Sequence, residues 1–105
     1  METPSQYLYT VHATRLEMLS EGPTSEETAI VDEHFSYLKD LAEKGTVLLV
    51  GRTQNNDETT FGLVIFQAGS EEEARAIMNG DPAVAHGIMH GRLYPYRIAL
   101  KGSRL

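Results

Sequence analysis

The chain has 105 residues with 9 Lys+Arg against 15 Asp+Glu, a formal net charge of 9 − 15 = −6. That is the size of one domain, and a single unit is expected over residues 1–105, with its core over about 6–100. The absence of cysteine excludes a disulfide framework, Cys–Zn sites and a thiol nucleophile. The acidic balance leaves no electrostatic footprint for nucleic acid or an anionic membrane, so neither partner is expected. Met1–Gln6 has no basic n-region and no apolar core, so no signal peptide is expected there. The longest apolar runs, Val47–Val50 and Leu63–Phe66, fall far short of the roughly 20 residues of a membrane span. This composition reads as a soluble cytoplasmic domain.

In chain order, Gln6–Leu19 reads as a strand in which Tyr7, Tyr9, Val11 and Ala13 alternate with Leu8, Thr10, His12 and Thr14. Glu21-Gly22-Pro23 breaks it. Thr24 stands three residues before Glu27, the capping-box spacing that opens a helix, and Gly45 suits the left-handed position after its end. The helix carries an apolar stripe of Ile30, Val31, Phe35, Leu38, Leu41 and Ala42. Strands are predicted over 46–53 and 59–68, joined through the turn residues Gln54-Asn55-Asn56-Asp57. Ser70 and Glu73 repeat the capping-box spacing before a shorter helix through Met78, which Asp81-Pro82 cannot continue. Residues 83–91 favour neither element, and Arg92–Leu100 reads as a last strand.

The order βαββαβ is that of an α+β, ferredoxin-like unit, with an antiparallel sheet and two helices on one face. Pro95 inside the last strand fits an edge position, where a missing N–H is tolerated. The second sheet face is then left open, although the two central runs are apolar on both sides and Tyr7, Tyr9, Tyr94 and Tyr96 add aromatic area. A patch of that size predicts a homodimer stacked through the open face.

His34 lies four residues after Ile30 and four before Leu38, on the buried stripe. Desolvated there, its ring nitrogens need partners. A histidine bonded to a backbone carbonyl is the commonest solution. Asp81, at the end of the second helix, could instead serve only to shape its turn. In this topology both helices pack on one sheet face, so Asp81 could reach His34 and fix its tautomer, making a general acid–base pair.

His34-Phe35-Ser36-Tyr37-Leu38, then Leu41 and Gly45, Val47-Leu48-Leu49-Val50-Gly51, Ser70-Glu71-Glu72-Glu73-Ala74-Arg75 and Asp81-Pro82 together resemble the YciI-like (YCII-related) family over residues 6–100. The resemblance implies a dimeric α+β barrel with an active site built around a His–Asp pair, here His34 and Asp81. The sequence departs from the family pattern at Ala83, where a bulky residue usually follows Asp-Pro.

Other candidates have plainer alternatives. Arg15 and Arg52 stand near strand ends, where a substrate carboxylate or other anion could be clamped, although arginines there are commonly surface charges. His12 could line a pocket or make a polar edge contact. His86 and His90 have the spacing of two helical metal ligands, but Gly87 and Gly91 disfavour a helix, and no metal site is expected. No phosphate loop or nucleophile elbow is present, and no cofactor is expected. Two functions follow. One is a cofactor-independent enzyme in which His34 and Asp81 move a proton on a small molecule, as a lyase, isomerase or hydrolase. The other is a non-catalytic dimeric small-molecule-binding or accessory domain in which the same pair is structural.

Overall fold

A computed structural model describes residues 5–105. Of Met1–Gln6, where no signal peptide is expected, all but the last two residues lie outside the described part. Strands β1 (Gln6–Ala13), β2 (Val47–Arg52), β3 (Gly62–Gln67) and β4 (Met89–Tyr96) form one antiparallel sheet in the order β2-β3-β1-β4. Helices α2 (Ser25–Glu43) and α3 (Glu71–Gly80) make the two crossovers, each next to a single-turn helix, α1 (Glu17–Ser20) and α4 (Pro82–Ala85). This is the expected ferredoxin-like arrangement. Among the described residues no helix is long and apolar enough to cross a membrane.

The local signals act as their chemistry requires. Thr24 Oγ1 accepts from the Glu27 N–H at 3.1 Å, and the Glu27 carboxylate accepts from the Thr24 N–H at 2.8 Å, closing the capping box of α2. Gly45 follows the helix at φ +82°, the left-handed conformation that glycine adopts without Cβ strain. At α3 only half of the second box forms. Ser70 accepts from the Glu73 N–H, but the Glu73 carboxylate takes the N–H of Gly69 instead of that of Ser70.

Several boundaries differ from the sequence expectation. β1 ends at Ala13 rather than Leu19, because the backbone turns there into the bonds Met18 N–H to Arg15 O and Leu19 N–H to Leu16 O. β4 runs over Met89–Tyr96 rather than Arg92–Leu100, since its partner β1 pairs from Ala13 opposite Met89 back to Gln6 opposite Tyr96. Residues 83–91 resolve into α4, a turn with Gly87 at φ +74°, and the start of β4. Pro95 does lie on an edge strand, opposite Tyr7.

Tyr7, Tyr9 and Val11 face the helices, packing with Phe66, Val64, Leu38, Ala74 and Met78 in the core. The two tyrosines therefore do not belong to the open face, as the strand alternation alone allowed. That face instead carries Leu8 opposite Tyr94 and Ile65, with Leu49 opposite Ile65. Leu49, Tyr94 and Tyr96 are 38%, 44% and 40% exposed, so apolar and aromatic area remains uncovered in one chain.

Candidate active site

Asp81 sits at the junction of α3 and α4, capping the end of the first and the start of the second. Its carboxylate accepts from the Ala83 N–H at 3.0 Å, while Pro82 takes the first helical position, where no N–H is needed. The turn-shaping role of Asp81 is thus present, and it coexists with a second one. The side chain is fully buried and receives two further donors from distant parts of the chain. Tyr9 Oη donates to Oδ2 at 2.7 Å, and His34 Nδ1 lies 2.7 Å from Oδ1 and 2.9 Å from Oδ2.

An ionised carboxylate only accepts, and with three donors converging on it the hydrogen of His34 belongs on Nδ1. The lone pair is then on Nε2, the nitrogen turned away from Asp81. Tyr9 is held as a donor: burial first, then the negative charge of Asp81 and the hydrogen bond to it, push its hydroxyl well above the ordinary 10.0. Tyr37 is shifted the same way by burial and by Asp81, and its hydroxyl donates to Ile77 O at 2.7 Å.

His34 borders a cavity of about 690 Å³ between α2 and the sheet. Val11, Phe35, Val50, Phe61 and Met89 give it apolar walls, and Arg52 at the end of β2 adds a guanidinium. Phe35, expected on the buried stripe of α2, is 66% exposed and stands at this cavity while Ile30 and Leu38 take the core. Among the described residues Arg52 pairs with no carboxylate.

The structure bonds His34 to Asp81 and puts Arg52 on the lining of the same cavity as His34, but places the other two candidates elsewhere. Arg15 forks onto Glu27, Nε to Oε2 at 3.0 Å and Nη2 to Oε1 at 2.7 Å, so its donors are engaged by the residue that caps α2. His12 lies on the open face of the sheet, opposite His90 of β4. His86 follows α4 while His90 is in β4, so they share no helix face. No group of three or more His, Asp or Glu side chains suited to a metal occurs among the described residues. Tyr9 is the site residue that the sequence reading missed. A tyrosine in the middle of an apolar strand face needs a partner for its hydroxyl, and that was the available signal.

The Arg15 fork, with the Thr24 N–H behind it, holds the Glu27 carboxyl down at about 2 against an ordinary 4.5. A carboxyl depressed on folding stabilises the fold above its unfolded value, and that contribution is lost as pH falls from 4.5 towards 2. Glu27→Gln is therefore expected to flatten the acid limb of the stability curve in that window. Urea midpoints measured against pH in both proteins check this, and parallel curves would contradict it.

The chain belongs to the YCII-related domain family, whose model matches residues 7–95. A solved structure similar to it is the 5-chloro-2-hydroxyhydroquinone dehydrochlorinase of Burkholderia phenoliruptrix in complex with 2,5-dihydroxybenzoquinone. The two share 17% identity with a TM-score of 0.61, over 87% of this chain and 93% of that one. The de novo designed protein Ferredog-Diesel is similar at TM-score 0.54 and 17% identity, over 90% of this chain and 88% of that one. At such identities the likeness is one of fold. Comparison with curated proteins gives no match.

Proposed function

We propose that the protein is a cofactor-independent enzyme in which His34 transfers a proton on a small, ring-bearing substrate. The observation that carries this is the imidazole held at Nδ1 by a fully buried carboxylate while bordering a largely apolar cavity. Nε2 takes a proton from the substrate, the imidazolium so formed is stabilised by Asp81, and the proton is returned at another atom or to a leaving group. Arg52 offers a positive charge to the oxygen on which negative charge develops. Proton transfer of this kind needs no second reagent, and it serves isomerisation and elimination alike.

The similar fold of a dehydrochlorinase whose structure holds a dihydroxybenzoquinone makes hydroxylated rings the first compounds to test. Incubation of such a panel in deuterated buffer reads proton transfer directly, as loss of ring or α-carbon proton signals. Exchange catalysed by the wild type and lost in His34→Gln is the expected result, and equal exchange by both proteins would sink the proposal. We propose further that a second copy of the chain packs on the apolar end of the open face, around Leu8, Leu49 and Tyr96. Sedimentation at the single-chain mass would count against that dimer.

A further inference from the structure

On the open face of the sheet, His12 and His90 are directly opposed on β1 and β4, their rings stacked with centroids 5.4 Å apart and planes 12° from parallel. Phe61 stacks on His12 as well, at 5.9 Å and 29°. The next pair along the same face is Thr10 opposite Arg92, and Tyr94 follows. These six residues line a hollow of about 410 Å³, separate from the cavity beside His34 although Phe61 borders both.

The chemistry of the hollow is one-sided. The chain has 15 acidic residues, yet none lines it. Among the described residues the side chains of Thr10, His90, Arg92 and Tyr94 have no hydrogen-bond or ion-pair partner. His12 Nδ1 is sealed from solvent and also unpartnered. A buried N–H without an acceptor is the rarer and costlier arrangement, so the hydrogen of His12 belongs on Nε2, its other nitrogen. The facing groups are then Thr10 and His12 from β1, His90, Arg92 and Tyr94 from β4, and Phe61 before β3. Apart from the Phe61 ring they are groups able to donate and one guanidinium, with no carboxylate among them.

We propose that this hollow is a second binding site, for a small oxyanion such as a carboxylate or phosphate, held by Arg92 with His12, His90 and Thr10 on the sheet face opposite His34. A guanidinium beside imidazole and hydroxyl donors is the arrangement that recognises such groups. The assignment does not depend on His34 being catalytic.

Titration with sodium benzoate and with inorganic phosphate at constant ionic strength, followed by the histidine ring signals in NMR, tests it. Saturable shifts at His12 and His90, with His34 unmoved, are expected from one or both probes. Which probe binds distinguishes a carboxylate from a phosphate ligand. Arg92→Ala removes an exposed side chain and leaves the core intact, and roughly ten- to hundredfold weaker binding is expected from the loss of one charged hydrogen bond. Non-saturable shifts, shifts equal in Arg92→Ala, no shifts with either anion, or shifts confined to His34 would each overturn the site.

Discussion

Asp81→Ala is expected to lower the stability of the fold by roughly 3–5 kcal/mol, the range for breaking a buried charged pair. The side chain is completely enclosed and holds three donors: the Tyr9 hydroxyl, the His34 ring and the Ala83 N–H. Truncation leaves all three facing a void. Each buried donor without an acceptor costs about 1–3 kcal/mol, although relaxation and entering water keep the costs from adding in full. The same change removes the side-chain cap of α4, worth about 1 kcal/mol. Against a total stability of about 5–15 kcal/mol this is a large fraction. Urea unfolding measures it, and a midpoint within error of the wild type would mean that Asp81 is not the hub described above.

His34→Gln is expected to separate chemistry from folding. Glutamine can still donate an amide N–H towards Asp81, so the unfolding midpoint should move far less than in Asp81→Ala. It cannot act as a base near neutral pH, so turnover or proton exchange on any accepted substrate should fall about 10²–10⁴-fold, the usual contribution of a positioned acid–base group. A drop in kcat with an unchanged KM would mark a group that works in the reaction rather than in binding. A large loss of stability with retained turnover would reverse the assignment and favour a structural pair in a binding domain.

The legible and illegible parts of the site differ for physical reasons. The two N-caps, Gly45 and the helical stripe are short-range signals, and they place α2, α3 and the element order. His34 stands out because a polar side chain at i+4 from Ile30 and i−4 from Leu38 cannot escape the packed face. Asp81 is legible locally as a turn former, and the topology and the family resemblance make its contact with His34 possible, but no local pattern fixes that contact across the 47 residues between them. Alternation puts Tyr9 on one face with Tyr7, but it cannot say which face meets the helices. That choice follows from the packing of Leu38, Ala74 and Met78 on the sheet. Arg15 illustrates the opposite failure. Its position near a strand end suits either an anion clamp or a surface charge, whereas the Glu27 carboxylate that completes the capping box also takes its guanidinium. The cavity beside His34 and the hollow beside His12 depend on how β1, β3 and β4 are registered, which no local pattern encodes.

The central claim is that Asp81 fixes His34 with its hydrogen on Nδ1 and a bare Nε2. Long-range proton–nitrogen spectra of the wild type, with the histidine rings labelled with nitrogen-15, test it most directly, because protonated and bare ring nitrogens resonate far apart. At a pH where the ring is neutral, the account predicts an Nδ1–H signal for His34 and a lone-pair signal at Nε2. A His34 protonated at Nε2, as free imidazole side chains prefer, would contradict it.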